Sequence, residues 1–141
     1  MTDASGTISV TPPLPVVGLH HVKLPVADLA AARAFLEPLL GLSVELTFPD
    51  NAGGVAGVVY EPIGGLCLAL RQEPVRARAL AGWNVVALAV ATRADLDSVA
   101  AGLDSRGVDH GPVVGASLGW ILTATGPDGL ELRFYTHERH G

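Results

Sequence analysis

Cysteine is almost missing from this sequence: Cys67 stands alone, so no disulfide can close within the chain and no cysteine-rich metal site can be built. Charge is scarce too, at 16% of 141 residues with a net of −5. The nine Lys and Arg form no basic stripe that could neutralise phosphates, which excludes nucleic acid as an expected partner. Although 49% of residues are apolar and the mean hydropathy is +0.40, Gly, Pro or a charge interrupts every apolar run before the roughly 18 residues that a membrane span needs. A basic stretch followed by an apolar one is absent from the first residues, so no secretory leader is expected and the cytoplasm is the expected compartment. What remains is apolar material sufficient for one compact core.

Residues 1–17, rich in Thr, Ser and Gly and then in proline (Pro12, Pro13, Pro15), predict an extended or disordered arm. Residues 18–26 alternate as in a half-buried strand. Asp28 is then placed to cap a helix with Leu29, Ala32, Leu36 and Leu39 on one face, tightened by Pro38 and stopped by Gly41. Strands are expected over 42–48, 55–61 and 66–71. Residues 72–82 form a connector with room for a helical turn. A strand over 83–91 follows, and then a helix from Asp95 with Leu96, Val99, Ala100 and Leu103 on one face, ended by Gly107. Strands over 108–114, 118–125 and 130–136 complete the chain, the last two joined by the turn Gly126-Pro127-Asp128-Gly129. His110, beside Gly111-Pro112, is expected on a loop, and His137 and His140 in a polar tail.

The order βαβββ therefore occurs twice. Gly65-Leu-Cys-Leu-Ala-Leu-Arg superposes on Gly129-Leu-Glu-Leu-Arg-Phe-Tyr at a separation of 64, and the same separation carries His21 to Val85 and Leu24 to Leu88. Two segments agreeing on one offset argue for internal duplication. The predicted class is α+β: two tandem βαβββ modules (18–71 and 83–136, linked by 72–82) in a single domain over 18–141. They are expected to form a curved mixed sheet or half-barrel around a central cavity.

His21-Val22-Lys23-Leu24-Pro25-Val26-Ala27-Asp28-Leu29, Ala34-Phe35 with Leu40-Gly41-Leu42, and Gly126-Pro127-Asp128-Gly129-Leu130-Glu131-Leu132 together carry a resemblance. Over about residues 18–136 the chain resembles the vicinal oxygen chelate superfamily of glyoxalase I, extradiol dioxygenases, fosfomycin-modifying transferases and bleomycin-binding resistance proteins. That resemblance implies four metal-ligand positions on the first and last strands of the modules, which here are His21, Ala69, Val85 and Arg133. One imidazole, two apolar side chains and a permanent cation make a poor set for a divalent ion, so no metal or other cofactor is expected. A rearranged site using His21 and Glu131 with a divalent metal is the alternative.

Period-2 alternation sends His21, Lys23 and Pro25 to one face of the first strand, and Val85, Ala87 and Ala89 to the matching face of its counterpart. The last strands add Cys67, Ala69 and Arg71, then Glu131, Arg133 and Tyr135. Trp83 and Trp120 offer flat surfaces near the strand ends. The candidate ligand-binding set is thus His21, Lys23, Ala69, Trp83, Val85, Ala87, Trp120, Glu131, Arg133 and Tyr135. Such a lining suits an aromatic or partly apolar organic molecule, such as an antibiotic, held by a metal-independent binding protein. The alternative is a metal-dependent lyase or dioxygenase built on His21 and Glu131; a metal-free proton exchange between those two is a third possibility. A homodimer is the expected assembly, since paired modules leave strand edges and apolar faces open.

Overall fold

The computed structural model describes residues 11–140. It holds two units, each a sheet with one long helix. In the first, β1 (Val22–Val26), α1 (Leu29–Leu40), β2 (Val44–Pro49), β3 (Val55–Tyr60) and β4 (Leu68–Gln72) make a sheet of order β1-β4-β3-β2. A short helix, α2 (Pro74–Ala79), leads to the second unit. There β5 (Ala87–Val90), α3 (Arg93–Ser105), β6 (Asp109–His110), β7 (Val114–Gly115), β8 (Trp120–Thr125) and β9 (Glu131–Thr136) form a sheet of order β5-β9-β8-β6, with β7 also on β8.

Strand pairing confirms the duplication residue by residue. The outer strands run parallel, β1 on β4 with Lys23 opposite Ala69, and β5 on β9 with Ala87 opposite Arg133. Both pairs obey the 64-residue offset. The two sheets remain separate and close no barrel. Their even-numbered positions (Leu24, Leu68, Leu70; Leu88, Leu122, Leu132, Phe134) face the helices and share one core with Leu36, Leu96 and Leu103. Odd-numbered positions form the opposite, open faces.

The local signals explain the elements. Asp28 caps α1 by accepting from the Ala31 N–H at 3.1 Å, and Gly41 ends it in the left-handed conformation at φ 66°. The second long helix begins before the expected Asp95. Thr92 is its cap, and Thr92 and Asp95 exchange hydrogen bonds in a capping box. The expected strand over 108–114 is split into β6 and β7 around Gly111-Pro112, because proline cannot donate to the ladder. His110 consequently sits in β6 rather than on a loop. The first strand starts only at Val22 and the fifth only at Ala87, so His21 and Val85 lie just outside the ladders. Residues 11–17 are exposed and lie outside helices and strands; the rest of the expected arm falls outside the described residues.

Each long helix is also tied to its sheet by a polar contact. The buried Tyr60 hydroxyl donates to Glu37 of α1 at 2.8 Å, and Arg33 completes the cluster. In the second unit both His110 ring nitrogens meet acceptors, Gly111 O and Asp104 of α3, each at 2.7 Å. Two acceptors around one ring require the imidazolium, and these bonds raise its pKa above the usual value.

Candidate functional site

The open face of each sheet is built differently. In the first, Gly57 leaves a gap that the Phe48 ring fills from the neighbouring strand, since a Cβ at Gly57 would collide with that ring and with the Leu70 carbonyl. Two cations lie over this ring, with Lys23 Nζ 5.5 Å and Arg71 Cζ 6.0 Å from its centroid. Ala69, between them in the sheet, has no exposed surface. Arg71 is steadied by Glu73 at 3.2 Å, whereas Lys23 has no carboxylate within ion-pair distance among the described residues.

The second open face keeps its hollow. A cavity of about 360 Å³ is floored by Ala87 and Ala89, walled by Leu118 and Tyr135, and edged by His137 and Arg139. This volume lies in the range of small-molecule sites. The Tyr135 hydroxyl accepts from the Leu118 N–H at 3.3 Å, which leaves its own proton free to donate. On the same face Arg133 is oriented by Asn84, whose side-chain oxygen, in the rotamer that satisfies both groups, accepts from Nε at 3.3 Å and Nη2 at 3.0 Å.

The sequence-derived candidates therefore separate. Lys23 and Ala69 belong to the first face; Ala87, Arg133 and Tyr135 belong to the second. Trp83, Val85 and Glu131 line a cleft where the two units meet, about 30 Å³ in volume, or room for about one water. Trp83 is 68% exposed. His21 is exposed, with its Nδ1 3.0 Å from that of His20. Trp120 has the parity of the core positions, and its ring is flanked by His140, stacked at 4.5 Å, and by Arg93 at 5.5 Å. No ligand can stack there without displacing one of them.

Phe48, Asn84, Leu118, His137 and Arg139 were missing from the sequence-derived set. His137 could have been found: its N–H bonds to the Val90 carbonyl, so the last strand's alternation runs on past Thr136 and keeps His137 in phase with Tyr135. Phe48 could not, since its place over Gly57 depends on a register shift between Val44 and Leu46.

The donor set is a direct test for a divalent metal. Of the four implied positions, Ala69 is a buried methyl, Val85 a cleft-lining isopropyl group and Arg133 a guanidinium held by an amide. His21 and Glu131 join no cluster either, because no three His, Cys, Asp or Glu side chains gather anywhere among the described residues. These residues do not fit the ion.

Comparison with known proteins is consistent with this architecture. The family described as "Glyoxalase/Bleomycin resistance protein/Dioxygenase superfamily" matches residues 18–134. Among curated proteins, none matches the chain by sequence. TnmS3, an antibiotic binding protein from Streptomyces sp. CB03234, shares the fold at a TM-score of 0.69 and 20% identity, over 88% of this chain and 98% of its own. The fosfomycin resistance protein FosX from Listeria monocytogenes does so at 0.67 and 17%, over 87% and 95%. A lactoylglutathione lyase from Agrobacterium tumefaciens does so at 0.68 and 18%, over 87% and 96%. No helix among the described residues is long and apolar enough to cross a membrane.

Proposed function

We propose that this chain, which belongs to the Glyoxalase/Bleomycin resistance protein/Dioxygenase superfamily, is a metal-independent binder of small aromatic or partly apolar organic compounds. One observation carries the proposal: three of the four implied ligand positions hold methyl, isopropyl and guanidinium groups and only His21 keeps a donor, while a hollow of about 360 Å³ stays open beside Tyr135. The likeness to an antibiotic-binding protein makes antibiotics the natural compounds to try first. The protein acts in the cytoplasm as a homodimer. Self-association is supported by large apolar side chains left in solvent away from that hollow, among them Leu19, Val75 and Trp83.

A thermal-shift and Trp-fluorescence screen of aromatic natural products tests the function. At saturating ligand the melting temperature should rise by several degrees, because binding to the folded state alone stabilises it. A flat response across a broad panel overturns it. Light scattering across a dilution series tests the dimer, and a monomer mass throughout would remove it. Stoichiometric bound metal that disappears in His21→Ala would instead establish the lyase or dioxygenase alternative.

A further inference from the structure

We infer that the hollow on the second face takes an organic acid, and that the C-terminal segment 137–140 is a strap that selects it by holding Arg139 at the rim. This rests on the binding function proposed above and adds the chemical class of the ligand. No acidic residue lines the hollow, although the chain carries 14 Asp and Glu against nine Lys and Arg. Ala87, Ala89 and Leu118 present only carbon from their side chains. The polar side chains left to a ligand are donors: the Tyr135 O–H, free beyond its bond from Leu118, the Arg139 guanidinium and the His137 imidazole. Thr136 is already spent, since its hydroxyl accepts from the Trp120 N–H at 3.0 Å and donates to the Glu138 carbonyl at 2.7 Å. Arg139 has no carboxylate within ion-pair distance among the described residues.

Arg139 does not hang on a loose end. The segment divides by alternation: His137 and Arg139 line the hollow, while Glu138 and His140 tie the chain down on either side of Arg139. The Glu138 carboxylate accepts from the Arg93 N–H at the start of α3 at 2.6 Å, and the Glu138 N–H donates to the Ala91 carbonyl at 2.9 Å. His140 stacks on Trp120 at 4.5 Å, and its Nε2 donates to the Gly119 carbonyl at 2.6 Å. The close approach is built for: a Cβ at Gly119 would come within 2.8 Å of the Glu138 carbonyl oxygen. A guanidinium flanked by two anchors is ordered before a ligand arrives, which lowers the entropy cost of pairing with it. A compact apolar body resting on the alanines, with a carboxylate turned to the rim, complements both parts of this lining. An amine would meet Arg139 with no acid to pair.

The probes are matched pairs, 2-naphthoate against 2-naphthamide and cinnamate against cinnamamide, titrated calorimetrically into the full chain. Arg139→Met is compared with Arg78→Met, which removes the same charge from the exposed surface of α2. The acids should bind about tenfold or more tightly than the amides, and added salt should shrink that preference. Arg139→Met should abolish it and Arg78→Met should not. His140→Ala should lower the preference several-fold, yet change nothing further in an Arg139→Met background, an outcome that general loosening of the fold would not give. A preference untouched by His140→Ala removes the strap from the proposal. Amides that bind as tightly as acids, or a preference indifferent to Arg139→Met, overturn the assignment and leave the binding function standing. If neither acid nor amide binds but a compound of the thermal-shift panel does, the acid proposal falls alone. If nothing in either set binds, both fall.

Discussion

The two modules share strand order, register and offset, but they treat their open faces in opposite ways. In module one the pair at the sheet edge is Phe48 with Gly57; in module two the corresponding pair is Val114 with Ile121. A ring over a glycine closes the first face and gives two cations an aromatic partner. On the second face two mid-sized aliphatics stand at that pair, and a hollow lies over Ala87 and Ala89 between Leu118 and Tyr135. Duplication thus fixed the frame, while the side chains at matching strand pairs divide their volume differently. The ties between helix and sheet diverged as well, through a carboxylate in module one and an imidazolium in module two.

The sharpest way to break this comparison is to give the first face the bulk of the second. Gly57→Val should displace Phe48 and press on the Leu70 carbonyl, costing about 3 kcal/mol in urea denaturation. Ile121→Val, at the corresponding position of the half-buried second face, should cost about 1 kcal/mol or less. Equal costs would show that the faces do not differ in packing.

Tyr60→Phe removes a buried hydroxyl that donates to a carboxylate, and should cost about 1–2 kcal/mol at neutral pH. Arg33 and Tyr60 hold the Glu37 carboxyl below its usual pKa. A carboxylate stabilised in the folded state contributes above its unfolded value, near 4.5, and loses that contribution as pH falls through the lower folded value. The cost of Tyr60→Phe should therefore shrink in acid.

The tie in module two has the reverse sign. Gly111 O and Asp104 raise the His110 pKa, so its contribution is complete below the unfolded value near 6.5 and fades as pH rises through the folded one. The effect is the smallest of the series, since Asp104 is exposed. Melting curves from pH 5 to 9 should show a shallow decline in the wild type that Asp104→Asn reduces. An unchanged profile in that variant would remove Asp104 from the account.

Much of this was legible in the residues themselves. The repeat at 64 predicted the register, because a strand's period of two leaves no freedom once the core positions are fixed. The helix at Asp28 followed from its cap and periodicity. The helix at Thr92 starts earlier than expected because a capping box outweighs the first acidic residue of its turn. The site was less legible. Alternation assigned Lys23, Ala87, Arg133 and Tyr135 to open faces, but it cannot say that a phenyl ring from another strand will lie over Gly57. Nor does it show that a tryptophan at a strand end already has a histidine stacked on it and an arginine over its ring, as Trp120 does. Those outcomes depend on contacts between residues far apart in sequence.

The central claim is that the superfamily's frame here binds an organic molecule without a metal. Elemental analysis of untagged protein, purified without chelators and dialysed against manganese, zinc and nickel in turn, tests it most directly. The account predicts metal far below one ion per chain in every case. One tightly held ion per chain, released by His21→Ala, would contradict it.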